Sequence, residues 1–141
     1  MYTLEELQAQ NREIAHLCEV LAVLVEHPHL HNNPVVCELM KRFKEKVWLH
    51  LVFEDNALYQ ELARHDDETT RKAVQEFHDS ARALKKRFSG YLRRWCQPEV
   101  SDSEHQQLLE ESREIFNLIR QRLAYEDERI FPLLEHTGGA D

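Results

Sequence analysis

The sequence predicts an all-α protein, an up-down-up-down antiparallel four-helix bundle. Three observations lead there. Glycine and proline are scarce, 3 and 4 in 141 residues, too few for a fold rich in strands or loops. Apolar residues recur every three or four positions over long stretches, the period of a helix with one buried face. The breaks between those stretches are short, and short connections make consecutive helices antiparallel neighbours. A chain of this length forms one domain with a real core, expected here over residues 1–137, with 138–141 as a frayed tail opened by Gly138 and Gly139.

The first helix is expected from about Thr3 to Glu26. Thr3 and Glu6 have the spacing of a capping box, in which each side chain takes the other's backbone N–H. Leu4, Leu7, Asn11, Ile14, Cys18, Leu21 and Val25 form its inward stripe, with Asn11 the one polar member, and His16 faces the opposite way. Val20 to Val25 is apolar nearly all round, which suits a second buried face such as a homodimer contact. The alternating histidines His27, His29 and His31 read as a solvated polar loop. Asn33 then caps a second helix whose first residue is Pro34, a position where the missing N–H costs nothing, and which runs to about Arg64.

An aspartate in the turn His65-Asp66-Asp67-Glu68 caps the third helix. Val74, Phe77, Ala81, Leu84, Phe88, Leu92 and Trp95 face inward along it, His78 sits on the flank of that stripe, and Gln97-Pro98 ends it. Ser101 and Glu104 form a second capping box for the fourth helix, which continues towards His136, with Pro132 expected to kink or fray its last turns.

Function concentrates in a doubled stretch. On the second helix Phe43, Val47, His50, Leu51, Glu54, Leu58 and Leu62 share one face, so an imidazole and a carboxylate one turn apart point at the core. Polar groups on a buried stripe are costly unless paired, hydrogen-bonded or metal-bound. Aligning Arg122 with His50 matches Leu51, Glu54, Asp55 and Leu62 to Leu123, Glu126, Asp127 and Leu134 without a gap. Glu126 therefore also lies on an apolar stripe, with an arginine where the second helix has histidine. Counting residues from the turns places Asn11, His50, Glu54, His78, Arg122 and Glu126 at about one level of the bundle, where facing helices build metal sites from carboxylates and imidazoles.

His50-x-x-x-Glu54 followed by Asp55 and Leu58-Tyr59, with Tyr125-Glu126-Asp127 and Ile130-Phe131-Pro132, resembles the two halves of the hemerythrin-like, or HHE cation-binding, family over nearly the whole chain. That resemblance implies a non-haem di-iron centre with histidines from all four helices and bridging carboxylates. The positions that match are His50, Glu54, Glu126 and His78, the candidate metal ligands. Arg122 and Asn11 stand where the family places histidines. Arginine keeps its proton and has no lone pair for a metal, but its forked donors can bridge carboxylates. Three readings stay open: a metal-free core in which Arg122 bridges Glu54 and Glu126, a partial site with one iron or zinc on His50, Glu54, His78 and Glu126, and a full di-iron centre. Arg122-x-x-x-Glu126-Asp127 also resembles the last helix of the anti-sigma regulators of sigma D, over one short stretch.

The totals narrow the function. A net charge of −8 argues against nucleic-acid partners, because neutralising phosphates needs a basic surface. The longest apolar run, Leu21 to Val25, is too short to span a membrane. Three cysteines, an odd number without a C-x-x-C pair, read as reduced thiols of a cytoplasmic protein, with Cys18 and Cys37 as packing residues. Trp48 and Trp95 read as packing anchors. The sequence thus predicts a non-enzymatic regulatory or stress-response module that works through a protein partner, its metal site degenerate. The alternative is a metal-bearing sensor or carrier for oxygen or nitric oxide. An enzyme ranks below both: ferritin-type oxidases carry Glu-x-x-His, not His-x-x-x-Glu, and no Gly-rich phosphate loop or serine-nucleophile motif occurs.

Overall fold

The structure, a computed structural model, describes residues 3–27, 33–62, 67–96 and 102–133. They form α1 (Leu4–Glu26), α2 (Pro34–Leu62), α3 (Glu68–Trp95) and α4 (His105–Tyr125), the last entered through a short 3-10 turn and extended by a π-helical turn, Glu126–Ile130. The histidines His29 and His31, the side chains of Leu58 and Leu62, Ser101, and the tail from Leu134 lie outside the described residues. Among those described, no helix is long and apolar enough to cross a membrane.

The helix starts follow the expected chemistry. Thr3 caps α1 with both halves of the capping box in place: Glu6 N–H donates to the Thr3 hydroxyl and Thr3 N–H to the Glu6 carboxylate. Asn33 Oδ1 accepts from Val35 N–H at 2.8 Å, and Asp67 accepts from Thr69 N–H and the Thr70 hydroxyl. The fourth helix departs from expectation, because the α-helix begins only at His105, after the 3-10 turn Asp102–Glu104.

Contacts along the helices fix their directions. Gln10 meets His50 and Glu13 meets Lys46, so α2 runs against α1. Asp55 meets His78 and Trp48 meets Phe88, which reverses α3. Phe77 stacks on Tyr125 while Arg87 meets Glu114 and Tyr91 meets Ser112, which reverses α4. Cys18 and Glu26 of α1 meet Phe116 and Arg113 of α4, closing the ring.

The core comes in two apolar parts. The larger fills the end that holds the α1–α2 connection, around Phe43, Phe88 and Phe116, whose rings pack at 5.6 and 6.2 Å. Trp48 packs edge-on to Phe88, and Trp95 is buried with its indole N–H donating to Glu111, so both act as anchors. The smaller part, Leu7, Val74, Phe77, Ile130 and Phe131, closes the other end. The expected stripes of α1 and α3 are buried, with Leu4 at the edge and Tyr91 joining α3. His16 is exposed, as expected. Between the two apolar parts lies a polar layer.

Candidate metal centre and polar layer

Glu54 and Glu126 are fully buried at 0 % exposure, His50 is 2 % exposed, and the Arg122 side chain 9 %. Helix periodicity puts them there. His50 and Glu54 are one turn apart on the inward face of α2, and Glu126 is one turn beyond Arg122 at the end of α4. At Glu126 the helix widens: its N–H bonds to both Arg122 O and Leu123 O, and Phe131 N–H reaches back to Glu126 O. Pro132 follows this turn; it has no N–H to continue an α-helical ladder and its ring crowds the carbonyl four residues back, a reason for the change of pitch.

The layer divides its charges between two pairs. Arg122 Nη2 donates to Glu54 Oε1 at 2.7 Å. His50 Nε2 lies 2.7 Å from Glu126 Oε1 and 3.4 Å from Glu54 Oε2. The other ring nitrogen, Nδ1, meets Gln10 Oε1 at 2.7 Å. Both imidazole nitrogens thus face oxygens.

The expected bridge by Arg122 between both carboxylates is not what forms. Its Nη1 turns instead to α3, donating to Ser80 Oγ at 2.8 Å and Phe77 O at 3.2 Å. Its planar head lies 3.9 Å above the Phe77 ring, which stacks in turn on Tyr125. Stacking and the α3 acceptors hold the fork to one carboxylate, and His50 takes the other. His78, a candidate ligand, is also placed apart. It is 20 % exposed and its Nδ1 is 2.8 Å from Asp55 Oδ1, a partner on the flank of α2. Asn11 is buried at the expected depth, yet among the described residues neither amide atom has a hydrogen-bond partner. Its neighbour Gln10 reaches His50 instead.

Gln10, Ser80 and the Phe77 ring were not legible as site residues. Gln10 and Ser80 sit on helix flanks, where polar residues are ordinary. The one signal was adjacency, Gln10 beside the inward Asn11 and Ser80 one turn after Phe77.

As a metal centre, the donor set fits one ion and not two. Ligand atoms of His50, Glu54 and Glu126 lie within 4.8 Å of one another. Among the described residues Glu54 Oε2 and Glu126 Oε2 are buried without a hydrogen-bond partner, Glu54 Oε2 lying 3.4 Å from His50 Nε2, as acceptors open to a cation would be. A pair of irons needs more imidazoles than this layer holds. Asn11 and Arg122 stand on α1 and α4, and His78 on α3 is turned to Asp55.

No curated protein and no solved structure matches the chain. A family model does match, over residues 3–134, and no match supports the short likeness to the sigma D regulators. By that match, which spans all four helices and both copies of the doubled stretch, the chain belongs to the hemerythrin HHE cation-binding domain family.

Proposed function

We propose that this hemerythrin-family bundle is a non-enzymatic regulatory module of the cytoplasm that acts by protein contact, its polar layer held by Arg122 and His50 in place of a di-iron centre. The observation that carries the reading is the 2.7 Å contact of Arg122 with Glu54 inside the layer. A fixed guanidinium there repels a second cation and neutralises a carboxylate that a di-iron site would use. Apolar surface on the outside is consistent with a partner: Val23, Val35, Leu49 and Val52 are each about half exposed or more.

A second reading is favoured by the two buried carboxylate oxygens, Glu54 Oε2 and Glu126 Oε2, that lack a hydrogen bond among the described residues. His50, Glu54 and Glu126 would then hold a single iron or zinc, and the protein would serve as a sensor or carrier for oxygen or nitric oxide. Iron bound there would supply the redox-active centre that oxygen or nitric oxide requires, whereas zinc, which has no redox chemistry, would serve only as a structural ion. This chain's part would be to hold it dry between two apolar clusters, with Arg122 fixing the orientation of Glu54.

Metal analysis of protein purified without a histidine tag, together with a visible spectrum, separates these readings. The proposal expects no stoichiometric metal and no oxo-bridge absorption. One ion per chain selects the second reading, and two irons per chain overturn both. Arg122→His serves as the companion: iron loading in this variant alone identifies the arginine as the block.

A further inference from the structure

α2 is apolar on two sides. One is the inward stripe; the other carries Trp48, Leu49 and Val52, which face outward beside α3. A helix that serves one core needs one apolar stripe, so the second is spare. Leu49 is 53 % exposed and Val52 49 %, while His50 and Leu51 between them are buried. With Leu92 of α3 these side chains line an open groove of about 1160 Å³ between α2 and α3. Lys41, Lys44 and Arg93 stand around it, with Glu45 as the one acid in its lining. The basic character continues along α3, where Arg82, Lys85 and Lys86 lie one or two turns before Ser89 and Arg93 on the same side of the helix. Among the described residues Lys41, Lys44, Arg82, Lys85 and Lys86 form no ion pair, whereas Lys46 meets Glu13 of α1, and Arg87 and Arg94 meet Glu114 and Glu111 of α4.

We propose that this groove docks an acidic amphipathic helix of a partner protein, its apolar stripe on Trp48, Leu49, Val52 and Leu92 and its carboxylates against the lysines and arginines of the rim. This rests on the reading of the protein as a module that acts by protein contact, and it assigns the face and the chemistry of that contact. Charge selects the partner. The whole chain carries −8, so a basic strip is the exception on its surface. At about 0.1 M salt a charge is screened beyond about 10 Å, so an incoming carboxylate feels the strip more than the distant acids. Shape selects a helix. Lys41 to Val52 covers roughly three turns of α2, about 16 Å, the length over which a helix lays successive turns of apolar side chains into a groove.

The same features disfavour other occupants. Small-molecule sites run to roughly 300–1,000 Å³ and bury most of their ligand, and this groove is larger and open. A single-stranded nucleic acid stacks its bases on free aromatic faces. Here the Trp48 ring packs edge-on to Phe88 at 5.6 Å, and the Lys44 ammonium sits 5.3 Å from its centre. A second copy of the chain meeting this groove with its own would set cation against cation. The groove lies on the outer side of α2, away from the inward His50 and Glu54, so docking is separable from the state of the polar layer.

The test is fluorescence anisotropy of the whole chain with a designed, labelled peptide of about 16 residues, leucine along one helical stripe and glutamate elsewhere. Two control peptides share its length. One has the same composition with the leucines spread round the helix, and the other has lysine in place of glutamate. The expected result is saturable binding of the striped acidic peptide alone, weakened roughly tenfold when salt rises from about 0.05 to about 0.5 M. Leu49→Asp, and separately Lys41→Glu with Lys44→Glu, should each weaken binding roughly tenfold with the helical circular dichroism unchanged. The two variants remove different halves of the contact, so either decides if the other misfolds. No saturable binding, equal binding of a control peptide, indifference to these variants, displacement by a single-stranded oligonucleotide, or self-association of the chain that Leu49→Asp abolishes overturns the proposal. Metal content is measured on the same sample. Bound metal strikes the metal-free reading of the polar layer and leaves peptide binding untouched, whereas a peptide that fails to bind strikes this face and not that reading.

Discussion

The two copies of the doubled stretch, one on α2 and one at the end of α4, keep the same buried positions and use them differently. Leu51 and Leu123 are both buried, and so are Glu54 and Glu126. The residue one turn before each glutamate separates them. His50 reaches across the bundle to Glu126, and Arg122 reaches across to Glu54, so each side chain serves the other copy's carboxylate. On the flanks the copies diverge: Asp55 has His78 as partner, whereas Asp127 is exposed. The backbone diverges too, since α2 passes Glu54 as an ordinary α-helix while α4 turns π-helical at Glu126. Repetition thus conserves which side chains go inside. Their chemistry, and what lies opposite, decides which contacts they make.

Substitutions can break or sharpen this comparison. The largest effect is expected for Arg122→Ala, which strips Glu54 of its cation inside the layer and should cost about 3–5 kcal/mol in denaturant unfolding. A loss below about 1 kcal/mol would mean that Glu54 is solvated after all. The double change Glu54→Leu with Arg122→Met removes both charges together and should recover most of that loss, because a buried ion pair is often no more stable than apolar residues of similar size. If the double variant is as unstable as the single one, the layer contributes more than charge balance.

A smaller effect, about 1–3 kcal/mol, is expected for Gln10→Ala, which leaves His50 Nδ1 without its acceptor. An unchanged unfolding midpoint would show that His50 is held by Glu126 alone. Smallest is Asp55→Asn: its partner His78 is partly exposed, so unfolding should shift by less than about 1 kcal/mol. A shift several times larger would return His78 to the layer.

Much of the fold was legible because it follows from local rules. Capping at Thr3, Asn33 and Asp67 needs only residues within one turn, and each appears as expected. The buried stripes of α1 and α3 follow from period alone. Antiparallel neighbours follow from short turns. The start of α4 and its π-turn were less legible: the first depends on how the chain leaves the preceding turn, and the second on whether Pro132 is accommodated by a kink, by fraying or by a wider turn.

The candidate site was half legible. Period placed His50, Glu54 and Glu126 inside, and the doubled stretch put an imidazole before one glutamate and a guanidinium before the other. What period could not give was the partner. His78 and Ser80 lie on opposite flanks of the inward stripe of α3; the first meets Asp55 of α2 and the second accepts from Arg122 of α4. Gln10 and Asn11 are adjacent, yet the flanking one bonds His50 and the inward one stays unpaired among the described residues. The amino-acid order determined the four helices, their inward faces and the presence of two buried acids, because these depend on spacing along one chain segment. Only the tertiary structure decided that Arg122 answers Glu54 and that His50 answers Glu126. A hydrogen bond is set within tenths of an ångström by how neighbouring helices are turned against each other, and no periodicity along a single helix carries that information.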